Sequence, residues 1–154
     1  MLFRSLRQST GRPADAQAVL APALEGFAPT SEMPEIDEAL ATASRVGHRA
    51  FEAELHRARG DTLLKRDPAK PAAAEEAFRG AIAVAKQQGT RSFELRASLA
   101  LAKLHQSTAR PADAHAVLAP ALEGFSATPE MPEIAEAEEL LAALARRSAS
   151  NGAA

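Results

Sequence analysis

Residues Leu6–Ile36 read LRQSTGRPADAQAVLAPALEGFAPTSEMPEI, and 98 residues later Leu104–Ile134 read LHQSTARPADAHAVLAPALEGFSATPEMPEI. Of 31 aligned positions 25 are identical; the six changes are Arg7/His105, Gly11/Ala109, Gln17/His115, Ala28/Ser126, Pro29/Ala127 and Ser31/Pro129. Repetition at a long fixed offset marks a repeat architecture, in which one supersecondary unit stacks on the next. The similarity stops after Ile36, where Asp37-Glu-Ala-Leu-Ala-Thr-Ala departs from Ala135-Glu-Ala-Glu-Glu-Leu-Leu, as expected of a tail duplicated or recombined onto a full copy.

Working outward from the two copies, helix stop and start signals divide the chain into seven helices and one N-terminal stub. The stub is expected around Leu2–Gln8, before the Thr10-Gly-Arg-Pro13 turn, and a helix follows over Pro13–Gly26 with Pro22 inside it. Further helices are expected over Pro34–Val46, Arg49–Lys65, Pro71–Gln88, Arg91–Gln106, Pro111–Gly124 and Pro132–Arg147, with Gly47, Asp67-Pro68 and Gly89 marking stops. Pro22 and Pro120 remove a ladder donor and crowd the preceding turn, so a kink or break is expected near each. Residues 148–154, Ser-Ala-Ser-Asn-Gly-Ala-Ala, read as a fraying, disordered tail, leaving 1–147 as a single domain.

Composition agrees with helices throughout. Of the 154 residues, 46% are hydrophobic but only 4% aromatic, with alanine supplying much of the apolar count and Trp and Tyr absent. Strong helix formers dominate, and the residues that fill sheets are scarce. The 18 basic and 20 acidic residues interleave to a formal charge of -2. That excludes the clustered basic face with stacking aromatics that nucleic-acid binding requires. No cysteine is present, so neither a disulfide framework nor a thiolate metal site is possible. Neither a secretory signal nor a run of ~20 apolar residues is read, and the expected location is cytoplasmic, away from any membrane.

The helix pair over 50–88 resembles a tetratricopeptide repeat. Gly60 falls at the small position of its first helix and Leu63 at the bulky position three later; Ala74, Phe78 and Ala81 match the small, aromatic and small positions of the second. Two extra residues enlarge the turn Asp67-Pro-Ala-Lys-Pro71, so the match is to a variant repeat. The next pair continues with Leu101, Ala102, Ala114, Leu118 and Ala121, and Ala16, Leu20 and Ala23 repeat the second-helix pattern. Small side chains at these places allow close helix approach. The stretch 36–141 is also similar to the C-terminal repeat region of large bacterial proteins that join a nucleotide-cyclase domain and an ATPase-like domain to such repeats, through Ala53-Glu-Leu-His-Arg-Ala-Arg-Gly-Asp, Ala73-Glu-Glu-Ala-Phe and Glu94-Leu-Arg-Ala-Ser-Leu-Ala-Leu-Ala. The resemblance implies antiparallel helix pairs stacked as an α-α superhelix and a regulatory or scaffolding role without catalysis.

No catalytic constellation is found. His48 and His56 lie about two turns apart without a third ligand, and neither H-x-x-x-H nor H-E-x-x-H occurs. His105 and His115 stand where the other copy has Arg7 and Gln17, as positions that tolerate several polar residues. The acidic groups Glu35-Asp37-Glu38, Glu75-Glu76 and Glu136-Glu138-Glu139 could serve acid/base chemistry, but acids near helix N-termini, such as Glu35, Glu75, Glu76 and Glu133, are accounted for by the helix dipole. Glycines occur singly, with no phosphate-binding loop. The expectation is a non-enzyme with no metal and no cofactor.

By the resemblance, the inward-facing positions are Arg57, Asp61, Leu64, Arg96, Leu99, Lys103 and Gln106. They suggest a groove for a protein or peptide, with Leu64 and Leu99 as apolar contacts and Arg57, Arg96 and Lys103 selecting acidic groups. The asparagine clamp of chaperone-binding relatives has no counterpart, because Asn151 is the sole asparagine. The alternative is self-assembly into a homodimer, through the apolar face of Leu2, Phe3 and Leu6 or by exchange of one near-identical copy for the other.

Overall fold

The computed structural model describes residues 33–46 and 51–152. The expected helices over 2–8 and 13–26, and with them Leu2, Phe3 and Leu6, lie outside the described residues. Within them the protein is all-helical, in the order α1 (Met33–Val46), α2 (Glu52–Arg66), α3 (Ala72–Gln88), α4 (Arg91–Ser107), α5 (Pro111–Leu122) and α6 (Pro132–Gly152). Each helix packs on the next, and α2 also touches α4, as α4 touches α6. The even-numbered helices therefore share one side of the assembly, where their exposed side chains meet.

Three apolar clusters join the helices in succession. Ala39 and Ala43 of α1 close on Leu55 of α2. Ala74, Phe78, Ala81 and Ile82 of α3 meet Ala97, Leu101 and Leu104 of α4. The other face of α4, with Leu95, Leu99 and Ala102, packs on Ala114, Leu118 and Ala121 of α5 and on Ile134, Ala137, Leu140 and Leu144 of α6. Alanine recurs at the contacts because its small side chain lets helix axes approach, while one large residue fills the space left; full burial of Phe78 or Leu118 contributes about 2–3 kcal/mol each.

The turns show why helices stop where they do. After α3, Gly89 adopts φ 69, and the amides of Gly89 and Thr90 donate to Lys86 O and Ala85 O. The same closure follows α4, where Ala109 (φ 58) and Arg110 donate to Gln106 O and His105 O. Both are left-handed helix ends of the kind that favours glycine. Thr108 adds a hydroxyl bond of 2.9 Å to Leu104 O.

Two helix ends depart from the sequence reading by two residues or more. Helix α5 continues through Pro120 and ends at Leu122, short of the expected Gly124. The Arg91 guanidinium takes up carbonyls left open at this helix end, donating to Glu123 O at 2.6 Å while its Cζ lies 5.6 Å from the centroid of the Phe125 ring. Helix α6 runs to Gly152, beyond Arg147, so residues 148–152 are helical where a disordered tail was expected. No breaker intervenes before Gly152, and Ser148 and Ser150 hydroxyls bond back to Leu144 O and Arg146 O.

The end of the duplication also has a structural reason. Leu40 of α1 packs beside Leu55, because α2 follows and covers that side. The position 98 residues on, Glu138 of α6, is exposed. The shared residues form a common helix start, and the divergent ones serve two different neighbourhoods.

Candidate functional site

A groove of about 940 Å³ lies along the side shared by α2, α4 and α6. Arg57, Asp61 and Leu64 enter it from α2 at helical spacing; Arg96, Leu99, Ala100, Lys103, Leu104 and Ser107 form a stripe along α4; Glu133 and Glu136 enter from the first turns of α6. Pro68, Pro71, Phe78 and Thr108 close the end beside the α2–α3 turn. Six of the seven residues expected at a groove are thus brought together. Gln106 is not part of the lining, since it falls one step off the α4 stripe that passes through Lys103 and Ser107.

The charges are organised into a ladder across the helices. Arg57 bridges Glu54 and Asp61 along α2, at 3.1 and 2.7 Å. Arg96 lies 2.9 Å from Glu133 of α6 and 3.9 Å from Glu54 of α2, and Lys103 is 2.5 Å from Glu136. Every basic side chain that was expected to select acidic groups is therefore already beside a carboxylate of the protein itself. Such part-exposed pairs contribute little stability individually and open at low cost, so they leave a groove of mixed charge. Burial pushes the Asp61 carboxyl above the ordinary range, against the pull of Arg57. Arg96 Nε and Glu133 Oε2 are buried without a hydrogen bond, and Arg96 Nε stands as an ion pair 2.9 Å from the other oxygen, Glu133 Oε1.

Toward the α2–α3 turn the lining becomes apolar, with Leu64, Pro68, Pro71, Phe78 and Leu104. Ser107 and Thr108 hydroxyls are directed to the Leu104 carbonyl, which keeps them from presenting free donors there. The site thus combines an apolar end with a charged, zwitterionic stretch. Glu133 and Glu136 were absent from the inward-facing set read from sequence. Their helix-start position has a sufficient local explanation in the dipole, and only the packing of α6 against α4 shows them a cation.

A second polar cluster joins α3 to the α4–α5 turn. Arg110 pairs with Glu75 at 2.6 Å, Arg79 reaches the same carboxylate at 2.6 Å, and Asp113 stands 3.9 Å from Arg110. The bond from Arg110, with that from Arg79, holds the Glu75 carboxyl below its ordinary value. His105, only 2% exposed, lies beneath this cluster, and burial lowers its pKa. Its Nδ1 has no hydrogen bond. Burial likewise lowers the pKa of His56 on α2. No group of three His, Asp or Glu side chains among the described residues is placed to hold a metal ion, and none of the described helices is long and apolar enough to cross a membrane. Comparison of the chain with protein-family models, with curated proteins and with solved structures finds no match.

Proposed function

We propose that the protein is a non-catalytic protein-interaction module of the tetratricopeptide kind, which holds a peptide or a partner's helix in the groove shared by α2, α4 and α6. The observation that carries this reading is the convergence of Arg57, Asp61, Leu64, Arg96, Leu99 and Lys103 on one 940 Å³ groove with a mixed-charge stretch and an apolar end. A segment with an apolar anchor beside charged residues of both signs matches that division: the anchor buries against Leu64, Pro68 and Pro71, and the ion pairs re-form with the ligand's charges. The resemblance to repeat regions of cyclase–ATPase regulators favours a scaffolding or regulatory tail in a cytoplasmic protein.

The test is an affinity screen of the chain against a peptide library, repeated with Leu64→Glu and with Lys103→Glu. Both residues are partly exposed, so both variants should keep the fold. Binders lost by Leu64→Glu and weakened about tenfold by Lys103→Glu are expected, since a desolvated charge pair or apolar anchor contributes on this scale. Absence of any binder, or binding indifferent to both changes, would refute the groove.

A further inference from the structure

A second groove, of about 390 Å³, lies on the side of the odd-numbered helices, between α3 and α5. Arg79, Ile82 and Lys86 of α3 form one wall at helical spacing, Val117 and Pro120 of α5 form the other, and Leu101 of α4 lies in the floor. It shares no lining residue with the groove of α2, α4 and α6.

The charge balance of the two grooves is opposite. Arg79 and Arg110 both hold Glu75, each at 2.6 Å, and Lys86 and Arg91 stand 3.9 and 3.5 Å from Glu94. Asp113 is a third acid, 3.9 Å from Arg110. Four cations thus share three carboxylates, and His105, whose pKa burial lowers, adds no charge at neutral pH. In the other groove three cations, Arg57, Arg96 and Lys103, face four acids, Glu54, Asp61, Glu133 and Glu136. Arg79 and Lys86 are exposed at the mouth of the α3–α5 groove. Each can turn to an outside carboxylate without stranding its own acid, because Arg110 still holds Glu75 and Arg91 still holds Glu94.

The α5 wall adds an acceptor. Pro120 sits inside the helix and has no N–H to give to Ala116 O, and both residues are exposed along the groove. Between this carbonyl and the cations the surface is apolar, with Ile82, Leu101 and Val117.

We propose that the α3–α5 groove is a second binding site, for an extended acidic segment of an outside protein. An aliphatic side chain rests on Ile82 and Val117, a backbone N–H donates to Ala116 O, and two carboxylates meet Arg79 and Lys86. The two cations are seven residues apart on α3, about 10 Å along its axis, which an extended chain covers in about three residues. The segment therefore reads acid, aliphatic, any residue, acid. The inference does not depend on what the groove of α2, α4 and α6 holds.

The probe is the blocked peptide acetyl-Gly-Glu-Leu-Ala-Glu-Gly-amide, titrated into the isotope-labelled full chain and followed by backbone amide NMR shifts. Changes are expected at Ile82, Lys86 and Val117. The double variant Arg79→Gln, Lys86→Gln should bind about tenfold more weakly, and the peptide carrying Gln for both Glu should lose as much on the wild type. Both substituted residues are exposed, and amide shifts away from the groove report that the fold is kept. No binding, binding that the double variant leaves unchanged, or shifts centred on Leu99 and Lys103 would each overturn the proposal. So would a sedimentation mass that rises with concentration while the peptide shifts disappear, because a second copy of the chain would then fill the groove.

Discussion

The ring of Phe78 lies against the backbone of Gly60, so closely that a Cβ at residue 60 would stand 2.5 Å from the ring Cε1 and 2.7 Å from Cδ1. Gly60 is in the middle of α2, where glycine otherwise costs about 1 kcal/mol relative to alanine. That cost is offset by the depth to which Phe78 enters the α2–α3 contact, where it is fully buried.

Gly60→Ala should therefore destabilise the fold by about 2 kcal/mol, the clash outweighing the gain in helix propensity. In a Phe78→Leu background the same change should cost less than about 1 kcal/mol, because the ring edge is gone. Urea unfolding of the four chains followed by circular dichroism measures the coupling. Equal costs in both backgrounds would show that the contact is not what requires glycine.

Ala109→Gly should stabilise the chain by about 0.5–1 kcal/mol. Ala109 holds φ 58, and the strain of a Cβ in that region exceeds the extra chain entropy that glycine brings to the unfolded state. The corresponding residue of the first copy is already glycine, Gly11. An unchanged or lower midpoint of unfolding would contradict the strain argument.

Acidification should weaken the fold in a window set by the histidines. His105 is buried, which holds its pKa below the ordinary 6.5, so between that value and its folded pKa the unfolded chain binds more protons. Its contribution is fully present above pH 6.5 and is lost as pH falls through the window; His56 acts in the same direction. His105→Leu should flatten, without abolishing, the decline in stability between pH 7 and 5, as read from urea unfolding at each pH.

The Glu75 carboxyl should titrate below its ordinary 4.5 in the wild type and return toward that value in Arg110→Gln. The shift follows from the 2.6 Å bond that Arg110 donates across from the α4–α5 turn, so its removal acts on a residue 35 positions away. Carbon-detected NMR titration of Glu75 reads the change directly. A pKa unmoved by the substitution would mean that Arg79 alone sets it.

Local signals carried most of the fold. Pro111 and Pro132 stand at helix starts, Gly89 at a helix end, and the alanine-rich segments between them had no competing pattern, so existence and order of the six described helices followed from neighbours in sequence. Where the reading stopped short, a deciding partner was distant: the end of α5 is met by Arg91, which donates to Glu123 O thirty-two residues further on.

The sequence by itself determined the succession of the described helices and the duplication of 6–36 in 104–134, because helix stops and repetition are read along the chain, while six of the groove side chains were reached through the resemblance. Tertiary structure decided what those side chains meet. Arg96 and Lys103 were legible as groove cations, but only the packing of α6 beside α4 sets Glu133 and Glu136 against them and changes a basic groove into one of mixed charge. Likewise, His105 reads in the sequence as a position that tolerates several polar residues, and only the structure shows it buried at the contact of α4 with its neighbours. Charge pairing and burial are set by distances between helices, which no periodicity within one helix encodes.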